Sequence, residues 1–84
     1  MTDYEKLTEL ERLYSLGKGD SIPIKDRTTE CWIRDLALRY KHFRLRWSYR
    51  NYCIDVHVDQ YGLCCLISAL QRTINERVAK KILS

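Results

Sequence analysis

The sequence has few residues that break regular structure, and it lacks the patterns of membrane and secreted proteins. Two of its three glycines and its only proline lie together in residues 17–23, so we expect the chain to turn there. No apolar run approaches the about 18 residues that a membrane span needs. Met1–Glu5 has neither the basic start nor the apolar core of a secretory signal. With 84 residues, we expect one small cytoplasmic domain with a thin core.

Sequence motifs that bind metals or nucleotides are also missing. The four cysteines and two histidines show no C-x-x-C or similarly close spacing, so we expect no zinc site. Cys64 and Cys65 are adjacent and would make a strained disulfide, so reduced thiols are expected. The Gly17-Lys18-Gly19 segment follows a predicted helix and lacks the Lys-Ser/Thr of a phosphate-binding loop. We therefore expect a protein that has no cofactor and is not an enzyme.

Charge is distributed unevenly along the chain. Residues 1–30 carry seven acids and five bases, whereas residues 31–84 carry four acids and ten bases. A basic region of this kind attracts phosphates or acidic protein surfaces. A partner of one of these two kinds is expected.

Helical periodicity predicts three helices, at about 3–16, 29–41 and 61–83. Thr2 and Glu5 have the spacing of a capping box at the first, and Gly17 suits the left-handed position after its end. Thr28 or Thr29 can cap the second, although a strand is an alternative there because four of its apolar residues share parity. The third carries a long apolar stripe, composed of Leu63, Leu66, Ile67, Leu70, Ile74, Val78 and Ile82.

Between the second and third helices, apolar and polar residues alternate with a period of two. This pattern predicts strands at about 43–49 and 52–58. With a short third strand near Ser21–Lys25, the expected fold is α+β: an antiparallel hairpin or three-stranded sheet with helices packed on one face.

A two-residue turn at Arg50 and Asn51 would give the hairpin a register in which one face is wholly apolar or aromatic. On the other face this register puts Arg46 opposite Asp55 and Arg44 opposite His57. The turn would require positive φ at Arg50, so a longer loop over 49–52 is the alternative.

Residues 39–52 combine five bases with five aromatic residues and contain no acid. Arginine binds phosphate bidentately and aromatic rings can stack on bases, but the alternation turns Phe43 and Trp47 inward. The expected contact surface is therefore an arginine ladder on the open face of the sheet and at the hairpin tip. We expect it to bind nucleic acid or a nucleic-acid-handling protein. Its main contacts would be Arg44, Arg46 and Arg50, flanked by Arg39, Lys41 and His57.

Two other functions are consistent with the sequence. One is a protein–protein inhibitor or adaptor that makes no direct contact with nucleic acid and forms a homodimer through the last helix. In its small size and its lack of catalytic motifs, the chain resembles phage or mobile-element proteins that block a host nucleoprotein machine. The other is a metal-independent ribonuclease in which His57 moves protons beside Arg44 and Arg46.

Overall fold

The chain folds as an α+β domain, as predicted. The structure is a computed structural model that describes residues 1–17, 21–41, 45–52 and 55–83. Within these residues the elements follow one another as α1 (Asp3–Leu16), β1 (Ile22–Ile24), α2 (Arg27–Arg39), β2 (Trp47–Arg50), β3 (Asp55–Val58) and α3 (Gln60–Leu83). None of the described helices is long and apolar enough to cross a membrane.

Helix α1 begins at the predicted capping box. The Thr2 hydroxyl accepts a hydrogen bond from the Glu5 N–H at 3.2 Å, and the Thr2 N–H donates to the Glu5 carboxylate at 3.3 Å. The expectation for Gly17 is wrong, because this residue ends α1 with φ −76°, outside the left-handed region. Glycine is required there for a different reason: a Cβ would lie 2.9 Å from Ile22 Cδ1 and closer still to its Cγ1.

The second element is a helix, and the alternative of a strand is wrong. Helix α2 starts two residues earlier than predicted because Asp26, not a threonine, is its N-cap. The Asp26 carboxylate accepts from the Thr28 N–H at 3.3 Å and from the Thr29 hydroxyl at 3.2 Å. Aspartate is among the strongest N-cap residues. Thr29 supports this cap by donating its hydroxyl hydrogen to the Asp26 carboxylate.

The three strands form one antiparallel sheet with β3 in the centre, so the predicted third strand is confirmed. Neighbouring residues form rows across it, namely Ile22–Val58–Trp47, Pro23–His57–Ser48 and Ile24–Val56–Tyr49. The first and third rows face the helices.

The predicted hairpin register is wrong, although Trp47, Val56 and Val58 share the face toward the helices as predicted. Tyr52, which was predicted on the same apolar face, lies in the turn and is fully exposed. Arg50, not Arg46, lies opposite Asp55, and Ser48, not Arg44, lies opposite His57. The turn explains the shift. Because Arg50 pairs with Asp55, more than two residues separate the strands. The alternative loop over 49–52 is wrong as well, since Tyr49 and Arg50 belong to β2. Positive φ falls on Asn51 and Tyr52 instead of Arg50. A shift by an even number of residues keeps every side chain on its own face.

The core lies between the sheet and the helices. Its buried side chains come from all three helices and from β1 and β3: Leu7, Leu10, Leu13, Ile22, Ile24, Trp32, Ile33, Leu36, Val58, Leu63, Leu66 and Leu70. Trp47 and Leu45 pack against its edge. Residues 42–44 and 53–54, which include Arg44, lie outside the described residues.

Helix α3 extends beyond this core. Its first half supplies Leu63, Leu66 and Leu70, whereas every described side chain from residue 75 to residue 82 is exposed. The apolar stripe therefore continues into solvent, with Val78 51% and Ile82 78% exposed. The molecule is elongated as a result, with extents of 51 × 22 × 21 Å.

Asp3 joins the N-terminus of α1 to the two other helices. Its carboxylate accepts a hydrogen bond from Arg77 at 2.6 Å and lies 3.5 Å from Arg39. Partial burial opposes ionisation, but the hydrogen bond and charge of Arg77, helped by Arg39 and Lys6, outweigh it and hold the pKa of Asp3 below its ordinary 3.8.

We expect Asp3→Asn to destabilise the domain by about 0.5–1 kcal/mol at neutral pH, because both arginines are largely solvent-exposed and screened. A depressed folded-state pKa contributes stability above the unfolded-state pKa and loses it as the pH falls through the folded value. The gap between wild type and Asp3→Asn should therefore close as the pH drops below 3.8. Urea unfolding of both proteins across this range checks it, and a gap independent of pH would contradict the ionic role.

Candidate nucleic-acid interface

The fold divides the predicted contact residues between two places. Arg39 ends α2, its guanidinium lies 6.0 Å from the centre of the Tyr40 ring, and it pairs with Asp3. Lys41 follows with a φ of 53° and an exposed side chain. The Tyr40 hydroxyl lies 2.8 Å from the Thr73 hydroxyl, so this turn is held against the middle of α3.

Arg46 and Arg50 belong to the sheet instead. The backbone of Arg46 is tied to the start of α3: its N–H donates to the Asp59 carboxylate at 2.6 Å, and its carbonyl accepts from the Asp59 N–H at 3.2 Å. The other oxygen of Asp59 accepts from the Gly62 N–H at 2.9 Å. Both oxygens of Asp59 thus accept hydrogen bonds from backbone N–H groups. The Arg46 side chain is exposed to solvent.

His57 is half-buried on the sheet face opposite the helices. Its Nδ1 lies 2.7 Å from the Ser21 hydroxyl, a contact that connects β3 to the residue before β1. Ser48 lies beside it on β2. Among the described residues, His57 therefore makes a side-chain contact that joins β3 to the residue before β1.

Basic and aromatic residues from two segments, 25–27 and 49–52, lie at the hairpin end of the sheet. We call this group the hairpin-end surface and define it as Lys25, Arg27, Tyr49, Arg50 and Tyr52. Lys25 follows β1, Arg27 opens α2, and the other three lie at the end of β2 and in the turn after it. Lys25, Arg27 and Tyr49 line one cleft of about 380 Å³ with an apolar floor of Ile24 and Val56.

Two of the acids at this cleft, Asp26 and Glu30, are already occupied. Asp26 caps α2, and the Glu30 carboxylate lies 3.4 Å from Arg34 Nε. Lys25, Arg27 and Arg50 are exposed and form no ion pair with any other residue in the described ranges. The three cationic groups are therefore accessible to an anionic partner.

Arg34 orients the aromatic part of the surface. Its guanidinium lies 4.1 Å from the centre of the Trp47 ring and 5.8 Å from that of Tyr49, and it donates a hydrogen bond to the Tyr49 hydroxyl. Partial burial opposes its charge, but the bond to Tyr49 and the carboxylate of Glu30 hold the pKa of Arg34 above its ordinary value. This cation–π contact fixes a tyrosine that is still half exposed.

The sequence did not identify Lys25, Arg27 and Arg34 as contact residues. The usable signal was the predicted strand near Ser21–Lys25, because pairing it with the hairpin would have placed Lys25 beside the tip. Arg27 and Arg34 depend on how α2 crosses the sheet, for which no local pattern exists.

The arrangement offers positive charges and aromatic ring faces. Among the described residues, no group of three or more His, Cys, Asp or Glu side chains is placed to hold a metal ion. Comparison with known protein families, with curated proteins and with solved structures finds no match to this chain.

Proposed function

We propose that this protein is a non-enzymatic binding domain that contacts nucleic acid through the hairpin-end surface, with Arg46 as a neighbouring contact. The observation that carries the proposal is that Lys25, Arg27 and Arg50 lie at the same end of the sheet and are all exposed to solvent. Arginine matches phosphate geometry with two parallel hydrogen bonds.

The nature of the surface favours phosphate contacts over base readout by a helix in a groove. The cations lie around the end of a short sheet, and no helix presents them as a row that could enter a groove. Binding should therefore depend strongly on salt, because each neutralised phosphate releases counterions.

Reversing two of these charges should weaken binding by at least about tenfold and should lower the log–log salt slope by about 0.7 per lost contact for single strands. The variant is Arg27→Glu/Arg50→Glu, titrated with labelled single-stranded DNA, duplex DNA and RNA at several salt concentrations. Both side chains are exposed, so folding should be retained.

The matched control is Arg72→Glu/Lys80→Glu, which makes the same change in net charge on exposed positions of α3. It should bind nearly as tightly as the wild type. Equal weakening by both variants would indicate diffuse attraction with no defined surface. Absence of wild-type binding at low salt would exclude nucleic acid as a direct ligand.

The second candidate is a protein-contact domain, and the exposed end of α3 favours it. Val78 and Ile82 are apolar, lie on the same side of the helix and are uncovered, while Lys80 and Lys81 lie in the same last turns. Such an end suits an acidic protein groove or a second copy of this chain, which would form a homodimer through α3. This candidate takes precedence if nucleic acid does not bind.

A further inference from the structure

Tyr52 occupies a position that neither packing nor backbone preference explains. Its side chain is 100% exposed, and its φ is 58°. Non-glycine residues adopt positive φ in only a few per cent of cases, and a bulky residue there is an outlier. Asn51, with φ 50°, is of a type that tolerates this region, whereas a tyrosine at the next position is disfavoured.

A residue held against its local preference at a fully exposed tip is the kind of departure that clusters at functional sites. Tyr52 covers no part of the described core. Glycine would suit the backbone better, and a polar side chain would suit solvent better. The ring is therefore explained by what it contacts outside this chain.

We propose that Tyr52 is a stacking platform for an unpaired base, so that the preferred ligand is single-stranded nucleic acid. The inference rests on the proposed function and adds the class of ligand to it. Arg50, two residues earlier, supplies a phosphate contact near the ring, and Lys25 and Arg27 at the same end of the sheet extend the basic surface across β3.

The combination is typical of single-strand recognition, in which a basic surface follows the backbone while aromatic rings stack on successive bases. A duplex keeps its bases stacked on one another and offers no free face to a protruding ring. The half-exposed Tyr49, oriented by Arg34, lies close by in sequence and can support the same strand.

The experiment compares Tyr52→Ala, Tyr52→Phe and Tyr52→Gly with wild type in titrations of labelled single-stranded DNA, RNA of the same sequence and the corresponding duplex. Loss of one stacked base should weaken single-strand binding roughly fivefold to a hundredfold in Tyr52→Ala and Tyr52→Gly. Tyr52→Phe should bind like the wild type because it keeps the ring face. The salt slope should not change, because no phosphate contact is removed.

A control and a second readout separate this role from a structural one. Tyr4→Ala removes a tyrosine that is 69% exposed on α1 and should leave binding unchanged. Tyr52→Gly should melt at a higher temperature than Tyr52→Ala, because glycine accepts positive φ without steric conflict, and yet bind equally poorly.

The outcomes distinguish the two proposals. Salt-dependent binding with no preference for single strands and no effect of Tyr52→Ala would overturn the stacking role and leave the charged surface as the contact. No binding of any nucleic acid at low salt would overturn both, and Tyr52 would then be tested as an aromatic anchor for a protein partner.

Discussion

Leu70→Asp is expected to unfold the domain, whereas Ile82→Asp on the same helix is expected to change its stability by no more than about 1 kcal/mol. Leu70 is fully buried on the side of α3 that faces the core, and Ile82 is 78% exposed. Removing a buried leucine costs about 2–5 kcal/mol, and a buried carboxylate without a partner adds several more. At about 0.05–0.15 kcal/mol per residue, this sum is comparable to the whole stability of a chain of this length.

At Ile82 the same substitution meets only solvent and the negative end of the helix dipole, which costs a few tenths of a kcal/mol to about 1 kcal/mol. Far-UV circular dichroism and urea unfolding of the two variants measure the contrast. Severe destabilisation by Ile82→Asp would mean that the exposed end of α3 is covered in solution. Sedimentation of the wild type over a range of concentrations would then show whether a second copy covers it.

The helices could be predicted because their signals are local. The capping box of Thr2 and Glu5 and the leucines that follow define α1 within the sequence of the helix itself. The stripe of α3 likewise reports its buried side, but the same stripe continues through Val78 and Ile82, which the core does not reach. Periodicity indicates which side of a helix is apolar, and only the fold determines how far along the helix that side is covered.

In the hairpin, the alternation of apolar and polar residues predicts which residues share a face but not which residues pair. Alternation and the burial of both apolar sets put Trp47 and Val56 on the same face, but they are consistent with every register that differs by an even number of residues. The pairing depends on the turn, and the turn depends on which residues accept positive φ. Asn51 is a natural site for this conformation, whereas Tyr52 is not, so no local preference predicted the observed loop.

The candidate surface could be predicted only in part because it joins distant segments. The basic run from Arg39 to Tyr52 is continuous in sequence, but α2 ends at Arg39 and β2 begins at Trp47. The fold therefore leaves Arg39 with Asp3 and α3, and brings Arg50 to the end of the sheet where Lys25 and Arg27 lie. Proximity in sequence was a poor guide to proximity in space.

Gly17→Ala is expected to destabilise the domain by about 1–3 kcal/mol, the usual cost of overpacking a filled core. The backbone of Gly17 has ordinary φ and ψ for any residue, so alanine would normally be neutral or stabilising at such a position. Here the added methyl group would meet Ile22, whose side chain is fully buried and forms part of the row Ile22–Val58–Trp47. Ile22 cannot move aside without displacing β1 from the core.

A double-mutant cycle with Ile22→Ala isolates this contact. The single change Ile22→Ala should itself cost about 2–5 kcal/mol by leaving a cavity, but it removes the atoms that the new methyl group would meet. Gly17→Ala should then be nearly neutral, or should recover part of the loss by filling the space, so the two changes should not be additive. Urea unfolding of the four proteins measures the coupling. Additive effects would show that Gly17 is needed for its backbone and not for the close approach of α1 and β1.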